Sequence, residues 1–364
     1  MLTPLRPVAA RRRAAALTLI LLVVVVVGLG AQPALLEARV PNPAPVPLRD
    51  LARHHGKRFG TAIDTTALAS EPAYAALAER EFSSVTPENV MKWQVVEPEQ
   101  GVFNYGPADG LVQFARDNNQ VVHGHTLVWH NQLPAWLTGG RFSNAELAAI
   151  LHRHIVQEVR HFGEKVQAWD VVNEPLNEDG TLRNTIWLQA LGPDYIAQAF
   201  IWAHEANPEA KLYINEFNLE FTGPKSNAML TLVQGLRARK VPIDGVGFQG
   251  HLAIQFGFPD LENNLRRFAD LGVEVALTEA DARMILPATP DKLATQADFY
   301  RQMMQACLDV RRCVGMTVWG FTDAHSWVPG TFTGQGAADI FDEALRPKPA
   351  YTALVQTLSS QGQD

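Results

Sequence analysis

The sequence predicts an α/β protein built as a single (β/α)8 barrel, the TIM barrel. Short runs rich in β-branched residues alternate eight times with segments of helical periodicity. About 317 residues follow an N-terminal segment, and this length suits one barrel core. The same alternation would also fit an open doubly wound sheet, but no glycine-rich phosphate-binding loop follows the first predicted strand.

Composition and charge narrow the possible functions. Of the 364 residues, 47% are apolar and 19% are charged, which excludes a disordered chain and a polytopic membrane protein. Residues 48–364 contain 26 basic and 37 acidic side chains, a net charge of −11. This negative excess disfavours nucleic acid and anionic membranes as partners. No feature of the composition points to a partner chain, so we expect a monomer.

The N-terminal segment has the pattern of an export signal. Arg6 and Arg11–Arg13 precede 18 nearly unbroken apolar residues at positions 14–31, and small residues lie at the end of this stretch. We expect a signal peptide over residues 1–31. The alternative is an uncleaved membrane anchor, because 18 residues lie near the lower limit for spanning a bilayer. The protein is therefore expected to be secreted, or tethered to a membrane only through residues 14–31.

A spacer is predicted between the export signal and the folded domain. Residues 32–47 contain five prolines, which favour an extended linker without a core. The folded domain is therefore expected at residues 48–364.

The eight strands can be placed in chain order from their apolar runs. A helix is predicted at Ser143–Phe162, where apolar residues recur at helical spacing and Ser143 with Glu146 forms a capping box. The carboxyl ends of parallel barrel strands meet at one mouth, so the polar residues found at these ends are expected to converge. The predicted strands are Arg58–Asp64, Ser83–Glu88, Val121–Trp129, Val166–Glu174, Lys211–Phe217, Gly245–His251, Glu274–Asp281 and Gly315–Phe321.

Two of these strands carry a glutamate near the carboxyl end. VQAWDVVNE ends at Glu174, and EVALTEAD places Glu279 at the same height on another strand. Either glutamate alone would be interpreted as a solvated strand end or an ion-pair partner. Two carboxylates across one mouth suit glycoside hydrolysis, in which one protonates the leaving oxygen and the other attacks the anomeric carbon.

The two cysteines of the chain are close in sequence. Cys307 and Cys313 enclose a short loop, and in an exported chain we expect them to form a disulfide. The alternative is a pair of free buried thiols. No second cysteine pair exists that would complete a metal site, and no metal is predicted.

Six motifs, in order along the chain, resemble glycoside hydrolase family 10, the retaining endo-β-1,4-xylanases. The resemblance runs from about Phe59 to Tyr351. It implies hydrolysis of internal β-1,4-xylosidic bonds in xylan and xylo-oligosaccharides, without a cofactor. The motifs are ENVMKW at Glu88–Trp93, HGHTLVWH at His123–His130, WDVVNE ending at Glu174, GFQGHL at Gly247–Leu252, TEAD containing Glu279, and TVWGFTDAHSW at Thr317–Trp327.

The resemblance implies a role for each matched residue. Glu174 matches the acid/base and Glu279 the nucleophile, and a retaining mechanism requires their carboxyl groups about 5–5.5 Å apart. Asn173 resembles the residue that holds the 2-hydroxyl of the reacting sugar. Gln249 and His251 match groups near the nucleophile, and His251 is expected to hydrogen-bond Glu279.

The other matched positions lie along the expected substrate cleft. Some resemble groups that hold sugar hydroxyls, and others are aromatic residues that pack on sugar faces. One departure from the family pattern is Phe217, which stands where tyrosine is common and lacks its hydroxyl. The matched residues are Glu88, Asn89, Lys92 and His125 for hydroxyls, Trp129, Trp319 and Trp327 for sugar faces, and Asp281 in support of the nucleophile.

The sequence is also compatible with three other functions. His123 and His125 form an H-x-H pair on one strand face, which with His251 and Asp323 would suit a metal-dependent hydrolase. A non-catalytic carbohydrate-binding protein would use the same aromatic cleft, although it has no need for both glutamates. A cellulase on the same barrel would differ in how closely the cleft surrounds C5 of the sugar.

Overall fold

The computed structural model of the protein describes residues 46–360. The predicted signal segment 1–31 and nearly all of the predicted linker 32–47 lie outside these residues. Within residues 46–360, no helix is long and apolar enough to cross a membrane. The first helix begins at Leu48, directly after Pro47.

Eight parallel strands close into a barrel, which confirms the predicted fold. Each barrel strand pairs with its neighbour, and β9 returns to β1, where Thr61 lies opposite Val318. The short strands β7 and β10 lie outside the barrel and pair with β8. The strands are β1 (Arg58–Ile63), β2 (Ser84–Pro87), β3 (Val121–Val128), β4 (Ala168–Asn173), β5 (Lys211–Glu216), β6 (Gly245–Phe248), β7 (His251–Ala253), β8 (Glu274–Ile285), β9 (Cys313–Val318) and β10 (Gln335–Gly336).

Three predicted strands differ from the structure by more than one residue at their carboxyl ends. Strand β9 ends at Val318, three residues before the predicted end at Phe321. The predicted strand Gly245–His251 is interrupted, because Gly250 adopts a φ of +77° and separates β6 from β7. The glycine also lies against the next strand, since an added Cβ would be 3.3 Å from the Cα of Ala280. Strand β8 extends four residues beyond the predicted end at Asp281, where β10 pairs with it.

Helices connect the strands and surround the barrel. Three short 3-10 turns, at Gly163–Lys165, Ile254–Phe256 and Asp323–His325, complete the regular structure of the described residues. The α-helices are α1 (Leu48–His54), α2 (Thr65–Ser70), α3 (Pro72–Glu81), α4 (Trp93–Val96), α5 (Gly106–Asp117), α6 (Ala135–Thr138), α7 (Asn144–Phe162), α8 (Ile186–Leu191), α9 (Tyr195–Ala206), α10 (Pro224–Ala238), α11 (Leu261–Ala269), α12 (Pro290–Asp309), α13 (Val328–Thr331) and α14 (Pro349–Ser360).

Helix α7 confirms the predicted capping box. The Ser143 hydroxyl accepts a hydrogen bond from the Glu146 backbone N–H at 3.3 Å, and the Glu146 carboxylate accepts one from the Ser143 N–H at 2.7 Å. These bonds satisfy two donors that the first helical turn leaves free. The apolar stripe of the helix, which includes Ile155 and Val159, is buried.

The predicted disulfide is present between Cys307 at the end of α12 and Cys313 at the start of β9. The two Cα atoms lie 5.2 Å apart, and both residues are buried. The bond therefore joins the last barrel strand to the helix that precedes it.

Gly124 on β3 is a position where packing in the barrel requires glycine. The ring of Trp169 on β4 covers it, and an added Cβ would overlap the ring. We expect Gly124→Ala to lower the free energy of unfolding by about 1–3 kcal/mol through overpacking. Denaturant unfolding followed by circular dichroism measures this change.

The matched control is Gly110→Ala in α5, where no other atom of residues 46–360 lies within 4 Å of the added Cβ. This change should be neutral or stabilise the protein by up to about 1 kcal/mol, because alanine is the better helix former. Equal destabilisation by the two variants would contradict the packing explanation for Gly124.

Candidate active site

A cleft of about 640 Å³ lies at the mouth where the barrel strands end. It brings together all twelve residues predicted to be catalytic or to bind sugar. A larger cavity, of about 760 Å³, surrounds the opposite ends of the strands near Arg58 and Lys211 and contains none of the twelve. We therefore place the candidate site in the cleft. The twelve residues are Glu88, Asn89, Lys92, His125, Trp129, Asn173, Glu174, Gln249, His251, Glu279, Trp319 and Trp327.

The Glu279 carboxylate is buried at the centre of the cleft and is hydrogen-bonded at both oxygens. Its Oε1 accepts a bond from Asn215 Nδ2 at 2.7 Å, and its Oε2 accepts one from His251 Nε2 at 3.2 Å. Burial alone would raise the pKa of Glu279. The electrostatic attraction of His125, whose Nδ1 is 4.0 Å away, and the His251 bond outweigh burial and lower that pKa. Glu279 is therefore ionised at neutral pH.

His251 bridges Glu279 to a second buried carboxylate. Its Nδ1 lies 2.7 Å from Asp281 Oδ2, and the same oxygen accepts a bond from Trp327 Nε1 at 2.8 Å. Burial opposes protonation of His251, but the charge of Asp281 and the two hydrogen bonds to carboxylates raise its pKa to about 10. The imidazolium thus donates one N–H to each carboxylate, as the sequence predicted for Glu279.

Beneath the cleft, Asp170 on β4 binds both histidines of the H-x-H pair. Its Oδ1 lies 2.9 Å from His123 Nε2, and its Oδ2 lies 2.9 Å from His125 Nδ1. Burial would raise the pKa of Asp170, but the charge of His123 and the two hydrogen bonds lower it to about 2. Asp170 therefore holds the His125 ring next to Glu279.

The four residues proposed for a metal-dependent hydrolase do not form one cluster. His123 and His125 bind Asp170, His251 binds Glu279 and Asp281, and Asp323 binds Lys348 at 2.8 Å. Among residues 46–360, no group of three or more histidine, cysteine or acidic side chains is placed to hold a metal ion. The two histidines of the H-x-H pair therefore bind the Asp170 carboxylate of the barrel.

Glu174 follows β4 at a turn that directs it into the same cleft. Its φ of +54° is uncommon for a residue with a side chain. Two backbone contacts hold the turn, because Glu174 N–H donates to the Asn215 carbonyl at 2.8 Å and Arg183 Nε donates to the Glu174 carbonyl at 2.9 Å. Its Oε1 accepts bonds from Gln249 Nε2 at 3.2 Å and Asn173 Nδ2 at 3.4 Å.

Amide side chains connect the two glutamates. Asn215 Nδ2 donates to both Glu279 Oε1 and Asn173 Oδ1, the latter at 2.9 Å. Asn173 and Gln249 continue the chain of bonds to Glu174. Thr278 fixes the orientation of the Asn215 amide, because its hydroxyl donates to Asn215 Oδ1 at 2.6 Å.

Asn215 and Asp170 are site residues that sequence reasoning missed. Both are fully or almost fully buried, and both follow directly on apolar residues of a barrel strand, in LYINEF and AWDVVN. A buried polar residue on a barrel strand needs a hydrogen-bond partner, and this requirement was the signal available in the sequence.

One end of the cleft combines a lysine with two tryptophans. Lys92 Nζ lies 5.0 Å from the ring centroid of Trp129 and 5.6 Å from that of Trp319. Burial lowers the pKa of Lys92, partly offset by Glu279, Glu88 and Glu174. Burial and the charge of Asp64 raise the pKa of Glu88. This end therefore offers both hydrogen-bonding groups and flat apolar surfaces.

Comparison with known proteins identifies relatives that match this chain over its barrel domain. A family model described as "Glycosyl hydrolase family 10" matches residues 47–357. The "Endo-1,4-beta-xylanase" of Agaricus bisporus is 47% identical over 310 residues, which cover 85% of this chain and 93% of that protein. The crystal structure of xylanase 10B from Thermotoga petrophila in complex with xylobiose has a TM-score of 0.85 and 42% identity, covering 87% of this chain and 98% of that one.

The bridge from Glu279 through His251 to Asp281 predicts that the stability of the fold depends on pH. The unfolded chain has a histidine pKa of about 6.5, and the folded chain raises that of His251 to about 10. Its stabilising contribution is therefore complete below about pH 6.5 and is lost as the pH rises toward 10. In Asp281→Asn, the pKa of His251 should fall, because the main cause of its rise is removed.

Nuclear magnetic resonance titration of the His251 ring measures its pKa in the wild type and in Asp281→Asn. The control is Asp109→Asn, which removes a carboxylate that binds exposed His161 elsewhere on the surface and should not alter the His251 titration. A wild-type midpoint near pH 6.5 would show that the bridge does not hold the proton.

Proposed function

This chain belongs to glycosyl hydrolase family 10, and from this premise we propose that it cleaves internal β-1,4-xylosidic bonds of xylan with retention of anomeric configuration. The observation that carries the proposal is the pair of glutamates in one cleft. Glu279 is an ionised carboxylate held by two donors. Glu174 is linked to it through Asn173, Asn215 and Gln249.

In the first step, we assign Glu279 as nucleophile and Glu174 as general acid. A Glu279 oxygen forms a bond to the anomeric carbon while the bond from that carbon to the leaving oxygen breaks. Glu174 donates its proton to the leaving oxygen. His251 and Asn215 hold the Glu279 carboxylate in one orientation, which reduces the entropy cost of reaching the attack geometry.

In the second step, Glu174 acts as general base. The covalent ester removes the negative charge of Glu279, and Glu174 has lost its proton to the leaving group. Glu174 then takes a proton from water, whose oxygen attacks the anomeric carbon and releases Glu279. Two inversions at this carbon give net retention.

Substrate positioning is assigned to the polar and aromatic groups along the cleft. Asn173 would hold the 2-hydroxyl of the reacting sugar, an interaction that strengthens in the transition state. Trp327 is fixed by its bond to Asp281, and with Trp319 it would limit the space around C5. The relatives named endo-1,4-beta-xylanase support xylan over cellulose as the substrate.

We further propose that the chain acts outside the cell. The predicted signal at residues 1–31 would direct export, and the Cys307–Cys313 disulfide suits an oxidising compartment. The catalytic domain at residues 48–364 would then act as a monomer.

Glu279→Gln should abolish turnover, because the isosteric amide cannot act as a nucleophile at the anomeric carbon. We expect a loss of about 10⁴-fold or more in kcat with the fold retained. Reducing-sugar release from xylan and from soluble cellulose, with chelator present, measures activity and substrate class together. The control is Glu262→Gln, which changes an exposed carboxylate on α11 that binds Arg266. A variant at Glu279 with the wild-type rate would refute the nucleophile assignment.

Glu174→Ala should affect substrates according to their leaving groups. Hydrolysis of xylan needs a proton on a poor leaving group, whereas an activated aryl xylobioside does not, so the loss of rate should be much greater for xylan. Azide should replace water as the nucleophile in the second step and yield a β-linked glycosyl azide. Equal losses on both substrates would count against Glu174 as the general acid.

A further inference from the structure

A side pocket of about 460 Å³ adjoins the catalytic cleft. Cleft and side pocket share Asn218, His251 and Arg283 in their walls. The outer wall of the side pocket carries two unusually exposed aromatic rings, Phe256 at 76% and Phe221 at 39% exposure. Its volume lies within the range of small-ligand sites. A substituent on a sugar polymer bound in the cleft would therefore reach the side pocket at this shared wall.

Arg283 lies where the cleft and the side pocket meet, and its charge has no anionic partner among residues 46–360. It lies on β8 four residues after Glu279, and its guanidinium carbon is 4.0 Å from the ring centroid of Phe332. In the described structure, its Nε is buried without a hydrogen-bond partner, and its Nη1 makes only long contacts of 3.5 Å to the carbonyls of His251 and Leu252. Within the described part of the chain, no carboxylate lies within 4.0 Å of it.

The other cations of the pocket already have anionic partners. Lys225 Nζ lies 2.9 Å from Glu216 and 3.0 Å from Glu178. The protonated His251 is shared between the carboxylates of Glu279 and Asp281. Arg283 is therefore the cation of this pocket whose charge is available to a ligand.

We propose that the side pocket binds a uronic acid substituent of the xylan chain, with its carboxylate on Arg283 and its ring against Phe256. A guanidinium matches a carboxylate in shape and charge. The C–H face of a sugar packs on an exposed aromatic ring, and Phe256 offers such a ring at the pocket rim. A neutral substituent would leave the Arg283 charge uncompensated. This inference rests on the proposed xylanase function.

The test compares two polymers that differ only in the carboxylate. Glucuronoxylan and its carboxyl-reduced form, in which each uronic acid becomes a neutral hexose, are hydrolysed in parallel by the full chain. For the wild type, kcat/KM on the acidic polymer should exceed that on the reduced polymer about tenfold, the effect of one charge-assisted contact. Arg283→Met should bring this ratio close to one, and Arg283→Lys should retain part of it.

Two further variants separate charge from packing. Arg301→Met removes an exposed arginine on α12 that binds Asp298 and should leave the ratio at its wild-type value. Phe256→Ala should weaken hydrolysis of both polymers equally, because ring packing does not depend on the carboxylate.

The outcomes distinguish this inference from the proposed function. A wild-type ratio of one, or an unchanged ratio in folded Arg283→Met, would overturn the uronate site while leaving the xylanase assignment intact. Failure of the wild type to hydrolyse either polymer would overturn the proposed function itself.

Discussion

The burial of the Glu279 carboxylate at the barrel mouth is the constraint on which the rest of the site depends. An isolated carboxylate in such a place would take up a proton, because burial penalises its charge. Two donors, Asn215 and His251, and the nearby His125 offset that penalty. The ionised state of this one group therefore requires a set of partners from several strands.

Each of these partners is itself held by a buried group. Asp281 keeps His251 protonated, Asp170 binds His125, and Thr278 orients the Asn215 amide. A half-satisfied polar network would cost more than an apolar core, so the outer layer is as necessary as the inner one. Asp281 also binds Trp327, which connects the bridge of Asp281, His251 and Glu279 to an aromatic wall of the cleft.

The parallel barrel supplies the geometry that makes this network possible. Backbone bonds tie Glu174 N–H to the Asn215 carbonyl and Glu279 N–H to the Gln249 carbonyl, both at 2.8 Å. The backbone of Glu174 is thus tied to Asn215 on β5, and that of Glu279 to Gln249 directly after β6. Both partners also supply amide side chains to the network. Anchoring to rigid strands holds side-chain geometry better than attachment to loops alone, which suits the proposed reaction, in which two carboxyl groups keep a set separation.

The sequence by itself determined the features that arise from local pattern. Apolar runs predicted all eight barrel strands, Ser143 and Glu146 predicted the start of α7, and the short spacing of Cys307 and Cys313 predicted their disulfide. Strand ends and motif resemblance also predicted twelve of the residues that line the cleft. These features follow from neighbours in the chain, whose periodicity and spacing the sequence records directly.

Only the tertiary structure decided which distant side chains meet. It brought Asn215 and Asp170 to the carboxylate network and directed the H-x-H pair to Asp170. Among residues 46–360, it left Arg283 without an anionic partner. It also broke the predicted strand at Gly250, where the chain adopts a positive φ against Ala280. The physical reason is that hydrogen bonds and charge pairs depend on separations of a few ångströms between strands far apart in sequence, and strand closure alone sets those separations.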